Sequence, residues 1–321
     1  MKILFVCDPI TGLNYTKDST IFLIEKAWGK NYECRVCTIE DLSVTASSNG
    51  PVVFAKTLLV KKPNKNNSQN WWSGFPPENK NLNEFDIIFI RTDPPFDERY
   101  NAAALILGIA ENQGITICNS PKALMAHNEK LSTLDFCKYI PPTLISSEKQ
   151  ELIEFSESFH KVVFKPLNQM GGSGIFVVDK KDPNIPTIIE VLTKKGKEKI
   201  VIQKFLPEIE KGDKRILILN GVIVDCCLTR TPRKGSFIGN LAAGGRASIQ
   251  PLSSLDRQIA EDVANILTPI GFFLLGLDII GENLTEINVT SPTGFKEITK
   301  LSEIDIGELF FNQVSIVLGK N

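Results

Sequence analysis

Histidine is nearly absent: His127 and His160 are the only two in 321 residues, and both stand apart from any cysteine or carboxylate cluster. Catalysis by imidazole needs a ring within hydrogen-bond reach of its partner, so it has little support here. No apolar run approaches the ~20 residues of a membrane-spanning helix. Before Asp8 there is one lysine and a run of five apolar residues, Ile3 to Cys7, too few for a secretory signal. Together these absences predict a cytoplasmic protein with no membrane partner. A formal net charge of -1 offers no field for a polyanion, which argues against nucleic acid as a partner. The seven cysteines are odd in number and lack framework spacing, so they read as reduced thiols. Cys34 and Cys37 match C-x-x-C, but in the strand-like run Tyr32 to Ile39 residues three apart point to opposite faces. There is neither a G-x-G-x-x-G fingerprint nor a Walker A loop.

What is present is an ordinary globular composition, 42% hydrophobic and 23% charged, over a length that predicts about two domains. Strand-like runs at 2–7, 32–39, 86–91 and 115–118 alternate with helical segments at 19–28 and 98–112, the pattern of parallel βαβ units. Residues 61–83 interrupt it with seven asparagines and little aliphatic content, and read as a surface insertion in which Trp71 and Trp72 are packing anchors. Beyond Asn119-Ser120-Pro121 a helix is expected through Asn128-Glu129-Lys130. Mostly antiparallel strands are then expected at 162–165, 175–178, 200–203, 215–220 and 222–228, with Asn220-Gly221 as a hairpin turn. Thr231 to Gly245 is glycine-rich without periodicity and reads as a mobile lid loop, and amphipathic helices are expected at 256–270 and 304–318.

The densest chemical signal lies at Gly276 to Thr290. Two β-prone runs flank Gly281-Glu282-Asn283, read as a three-residue hairpin loop. That register sets Ile280 opposite Leu284 and Asp278 opposite Glu286, with Asn288 on the same face. Like charges facing each other in a ladder repel, so a cation is expected between them. Oxygen donors without His or Cys point to Mg²⁺, with Mn²⁺ as the alternative, and Mg²⁺ held by one or two carboxylates usually carries phosphate oxygens as well.

A second signal supports phosphate. The loop Asn168 to Gly174, with Gly171, Gly172 and Ser173, joins two strands and so differs from loops that open helices; alone, a glycine-rich hairpin turn is its commoner explanation. Lys165, on the strand just before it, shifts that balance by offering a charge to phosphate, and Lys130 offers a second. Arg215 and Arg230 close on the same face as the hairpin and could fork onto carboxylate or phosphoryl oxygens, whereas Lys214 reads as a surface pair. Asp18-Ser19 and Arg91 to Asp97 lie at strand C-terminal ends, where open α/β sheets bind ligands, though capping and turn chemistry would explain them equally.

In order along the chain, Asp8-Pro9-Ile10, Lys17-Asp18-Ser19, Asp93-Pro94-Pro95-Phe96-Asp97, Asn128-Glu129-Lys130, Lys165-Pro166-Leu167 with Met170-Gly171-Gly172, Gly212 to Arg215, Gly239 to Arg246 and Gly276 to Thr293 resemble the bacterial glutathione synthetases, which are ATP-grasp ligases. The resemblance implies an α/β architecture: an N-terminal parallel-sheet domain over 1–122, then an ATP-grasp fold over 123–317 with two antiparallel α+β subdomains, 123–203 and 204–317. It implies ATP as co-substrate, with Lys130 and Lys165 on its phosphates and 168–174 as a flap. Gln203, Lys204, Phe205 and Leu206 would form the adenine-side hinge, with Asp213 near the ribose. It also implies Asp278, Glu286 and Asn288 as magnesium ligands, and Asp18, Ser19, Arg91, Asp93, Arg215, Arg230, Asn240, Ser291 and Thr293 around γ-glutamyl-cysteine and glycine. A homotetramer is the implied assembly.

The implied chemistry is peptide-bond formation through an acyl phosphate, with Lys165, Arg215 and Arg230 stabilising charge and no protein nucleophile, which suits a chain so poor in histidine. Two departures stand out. The family's lid usually reads Gly-Glu-Thr-Arg-Gly-Asn, whereas this chain has Gly235-Ser236-Phe237-Ile238-Gly239-Asn240, so lid closure is expected to rest on apolar contacts of Phe237 and Ile238. Lys296 stands where the family often has arginine, with Arg233 or Lys234 to compensate. The rival expectations are a ligase joining another amino acid or peptide pair, and a non-catalytic nucleotide sensor.

Overall fold

The computed structural model describes residues 1–63, 71–237, 239 and 244–320. Ile3 to Cys7 are all buried, as befits a central strand covered on both faces. This strand, β1 (Lys2–Cys7), pairs in parallel with β2 (Glu33–Cys37). Cys34 joins the core on one face of the sheet and Cys37 the core on the other, so no thiol pair forms there. Beyond β2 the sheet continues antiparallel through β3 (Leu42–Ser47) and the long β4 (Gly50–Lys61), which also holds the short β5 (Ser73–Gly74) and β6 (Glu78–Asn81). Part of the expected insertion is therefore sheet; residues 64–70 lie outside the described residues. Trp71 is buried against Tyr15, Trp28 and Trp72. On the other side of β1, β7 (Ile87–Arg91) and β8 (Ile117–Cys118) run parallel, giving the order β3-β4-β2-β1-β7-β8. Helices α1 (Ser19–Gly29) and α2 (Glu98–Asn112) make the crossovers, each started by an aspartate: Asp18 accepts from Ile21 N and Asp97 from Tyr100 N.

Helix α3 (Pro121–Ala126) ends before Asn128, contrary to the helix expected there. The Asn128 side chain accepts hydrogen bonds from Lys130 N and Leu131 N, and this local turn competes with helical bonding. A four-stranded antiparallel sheet follows, β9 (Thr143–Ser146), β10 (Lys161–Pro166), β11 (Phe176–Asp179) and β12 (Ile200–Lys204), in the order β11-β10-β12-β9. The period of two decides its faces. Val162, Phe164, Ile200 and Ile202 join α4 (Lys149–Glu157) and α5 (Ile185–Leu192) in a separate small core, which leaves Val163, Lys165 and Gln203 on the opposite face.

The last sheet comprises β13 (Asp213–Leu219), β14 (Val222–Ile223), β15 (Cys227–Thr231), β16 (Arg246–Gln250), β17 (Leu274–Ile280) and β18 (Asn283–Asn288), its main path running β16-β15-β13-β17-β18. Asn220 and Gly221 both take positive φ in the turn between β13 and β14, as a two-residue primed hairpin requires. The single strand expected at 222–228 is broken into β14 and β15. Helices α6 (Ser254–Leu267), α7 (Phe295–Leu301) and α8 (Ile306–Val317) cover this sheet, and Phe310 packs on both Phe89 of β7 and Phe273 next to β17, so the first and last sheets share a core. No helix among the described residues is long and apolar enough to cross a membrane.

Candidate active site

The β17–β18 hairpin sets the site, with one correction to its register. Ile280 pairs with Asn283 across a two-residue Gly281-Glu282 turn in which Gly281 has a φ of 60°; it does not face Leu284. A bulge then places two residues, Thr285 and Glu286, where one would fit, and Thr285 Oγ1 donates to the Asp278 carbonyl at 3.1 Å. Asp278 thereby returns to its place opposite Glu286. Arg215 of β13 lies opposite Asp278 from the other side, so Arg215, Asp278 and Glu286 form one row across three strands. Gly276 makes room for that row: a Cβ there would stand 3.0 Å from Pro292 and 3.2 Å from the Arg215 Cδ.

The facing carboxylates are neutralised by the protein's own cations. Arg215 grips Asp278 through Nε at 2.5 Å and Nη2 at 2.8 Å, and Arg230 Nη2 reaches the same carboxylate at 2.9 Å. Burial would raise the Asp278 carboxyl, but the two guanidinium groups overcome it and hold it well below the usual carboxylate range. Lys130 Nζ meets Glu286 at 2.9 Å while also donating to the carbonyls of Leu167 and Gln169 at the base of the glycine loop. Asn288 Nδ2 donates to Asp278 Oδ2 at 3.2 Å. Among the described residues no three His, Cys, Asp or Glu side chains gather as a metal site. The donor set is two carboxylates with the Asn288 amide, all oxygen donors, which suits a hard divalent cation provided Lys130 turns from Glu286 to another anion.

Arg230 also pairs with Asp213, whose Oδ1 is buried without a partner. Burial pushes the Asp213 carboxyl up to about 6, Arg230 opposing and the Asp278 charge adding to it. An orphaned buried acceptor facing a cleft suits a ligand hydroxyl. Lys165 is half-buried on β10 and donates to Gln203 Oε1 at 2.7 Å; desolvation lowers its ammonium, with Glu286, Asp213 and Asp278 pulling the other way.

These groups line one cavity of about 190 Å³ between the second and third sheets. Of the expected residues it brings together Lys165, Gly171, Gly172, Gln203 to Leu206, Asp213, Arg215, Arg230, Asp278, Glu286, Asn288, Asp93, Ser291 and Thr293. Lys130, which reaches Glu286 without lining the cavity itself, Ser173, Asp18, Ser19 and Arg91 do not line it. Asp18 caps α1, while Ser19 Oγ and Arg91 Nη1 are buried without partners behind the cavity wall. Arg91 is tied to that wall through Pro292 O at 3.0 Å and through its own carbonyl, which accepts from Ser291 Oγ at 3.1 Å. Asn240 and Ile238 lie outside the described residues. Lys214 pairs with Asp256, as a structural charge. Lys296 donates to the Tyr15 carbonyl.

Glu129 was not singled out from the sequence as a site residue, yet it lines the cavity and accepts at Oε1 from Val289 N (3.2 Å), Thr290 N (3.3 Å) and Thr290 Oγ1 (2.8 Å). It braces the end of β18, and only its place beside Lys130 pointed toward it. Phe237, Val163, Ile175, Val177 and Ile280 make the apolar end, which no spacing rule could assemble.

Antiparallel sheets enclosing a cleft lined by both carboxylates and cations, behind an N-terminal sheet with a parallel centre, define an ATP-grasp ligase fold. The same fold occurs in D-cycloserine synthetase DcsG, with a TM-score of 0.67 at 11% identity over 99% of this chain and 100% of that chain. It occurs also in D-alanyl-alanine synthetase A from Vibrio cholerae, with a TM-score of 0.61 at 14% identity over 99% and 98%. Sequence narrows the class. Profiles of the prokaryotic glutathione synthetase N-terminal domain and ATP-grasp domain match residues 1–125 and 129–303. Proteins named glutathione synthetase are 39% identical in Nitrosomonas europaea (97% of both chains) and 40% identical in Neisseria meningitidis serogroup A (98% of both chains). The chain belongs to the prokaryotic glutathione synthetase family.

Proposed function

We propose that this chain is an ATP-dependent ligase that joins γ-glutamyl-cysteine to glycine, releasing glutathione, ADP and phosphate. The observation that carries the site assignment is the meeting of Arg215 and Arg230 on Asp278 inside one cleft, whose lining also holds Lys165 and Glu286, the latter paired with Lys130. The substrate carboxylate takes the γ-phosphoryl group, forming a new O–P bond as the bond to ADP breaks. The glycine nitrogen, having lost a proton, then attacks the acyl carbon, and phosphate leaves. Lys130 and Lys165 neutralise the ATP phosphates, and the backbone of Gly171, Gly172 and Ser173 approaches them. Gln203 to Leu206 border the base, and the free Asp213 oxygen accepts from the ribose. Arg215 and Arg230 stabilise charge on the transferring group, each already desolvated and fixed by Asp278. Mg²⁺, for which Mn²⁺ could substitute, would be held by Asp278, Glu286 and Asn288 and would supply Lewis-acid stabilisation of the phosphoryl oxygens. Asp93, Ser291 and Thr293 orient the peptide and glycine, with Arg91 holding Pro292 and Ser291 in place beside them.

The substrate-binding domain in this scheme spans 1–122 and the ATP-grasp domain 123–317; the enzyme works in the cytoplasm as a homotetramer. Purified protein with ATP, Mg²⁺ and γ-glutamyl-cysteine should release ADP only when glycine is added, with glutathione formed in equal amount. Turnover with other amines but not glycine would instead assign the chain to a different peptide pair, and no ADP release with any amine would make it a nucleotide sensor.

A further inference from the structure

We infer that Phe237 supplies an aromatic wall against which the purine of a bound nucleotide packs, an inference that rests on the cleft binding ATP. Phe237 is 42% exposed, yet it lines the cleft beside Val163, Ile175, Val177 and Ile280. Its ring stands edge-to-face with Phe205, the centroids 5.2 Å apart at 83°. Lys161 Nζ lies 5.4 Å from the Phe205 ring and 5.5 Å from the Phe237 ring. The Lys161 carbonyl accepts from Phe205 N at 3.0 Å, so the hinge ring is fixed to β10. Two residues on, Gly239 is buried so tightly that a Cβ would lie 2.6 Å from the Arg230 carbonyl, which brings the loop's backbone against β15. Phe237 is thus an aromatic ring braced on one side by Phe205 and Lys161 and bordered by a flat apolar slot.

A purine presents a broad π face and fits such a slot by stacking, which the phosphate end of the site does not provide. The phosphate contacts proposed above come from Lys130 and Lys165, charges that an apolar ring does not replace, so the base wall and the phosphate cradle are separable by experiment. Threonine, usual at this position in the family, has no ring to offer. Phe237 is therefore an affinity-determining contact of this chain on the base.

The test compares wild type with Phe237→Thr and Phe237→Trp. Calorimetry with ADP should show affinity falling roughly five- to tenfold in F237T, the scale of one lost aromatic stack, and staying near wild type in F237W. Inhibition by inorganic tripolyphosphate, which has no base, should be unchanged in both variants. In turnover assays F237T should raise the KM for ATP by a similar factor. Equal loss of ADP and tripolyphosphate binding would overturn the proposal, since Phe237 would then act on the phosphates, and so would unchanged ADP affinity in F237T. Product formation by the wild type is read separately, so a failed ligase assignment with an F237-dependent ADP site is distinguishable from a failed base wall.

Discussion

Replacing Arg215 with methionine keeps most of the aliphatic stem and deletes the guanidinium that holds Asp278 at 2.5 and 2.8 Å. Both side chains are almost fully buried, 6% and 7% exposed, so water cannot take over the carboxylate. Removing one partner from a buried pair costs about 3–5 kcal/mol when the other charge is left alone. Here Arg230 remains at 2.9 Å, shared with Asp213, and still offsets part of the charge, so a loss just below that range, about 2–3 kcal/mol, is expected. At roughly 2–4 °C per kcal/mol, the melting temperature should drop by about 4–12 °C. Scanning fluorimetry and urea titration measure this without substrate. The double variant Arg215→Met/Asp278→Asn removes both charges and should recover about half of the loss, because the neutral amide no longer needs a counter-charge. The pH dependence follows from the sign of the shift. Asp278 is held well below its unfolded value of 3.8, so its pairing contributes fully above that pH and is lost as pH falls from there toward the folded value. The gap between wild type and R215M should therefore be widest at neutral pH and narrow below pH ~4. A melting loss under 1 °C, or a double variant no better than the sum of the singles, would refute the buried-pair account.

Glu286→Gln should leave the melting profile nearly intact, since Glu286 is a quarter exposed, and lower kcat by about 10²-fold or more at saturating Mg²⁺. Wild-type ADP release from this variant would remove Glu286 from the metal site. Lys165→Met should raise the KM for ATP by about tenfold with little effect on fold, because the ammonium lies on the cleft face of β10; an unchanged ATP dependence would make it a purely structural lysine. Asp213 protonates at about 6 in the folded chain and at 3.8 unfolded, so its ionised form costs stability above pH 6 and that cost is relieved as pH falls toward 3.8. For the same reason the KM for ATP should rise as pH falls through 6 in the wild type, whereas Asp213→Asn should show a high KM that is flat across this range. A pH dependence retained in the variant would assign the titration elsewhere.

Local chemistry was legible in the amino-acid order. The period of two along β18 was enough to bring Glu286 and Asn288 to one face, because side-chain alternation is a property of the backbone itself. The same alternation separated Cys34 from Cys37, and Asn220-Gly221 predicted its own turn through the positive φ that both residues tolerate. Where two local tendencies competed, sequence alone chose wrongly. The Asn128 side chain outbid the helix through Lys130, and a Thr285 bulge let a two-residue turn keep the Asp278–Glu286 pairing. Of the antiparallel extension, β3, β5 and β6 are short and mostly exposed and carry no apolar period of their own; they form by pairing with the apolar β4, which the sequence reading passed over. Tertiary structure alone decided which cation meets which anion. Arg215 and Asp278 are 63 residues apart, Lys130 and Glu286 lie in different sheets' surroundings, and Glu129 reaches Thr290 across 161 residues. Such pairings depend on how sheets pack, and packing is set by the shared apolar core around Phe89, Phe273 and Phe310, which no spacing along the chain records.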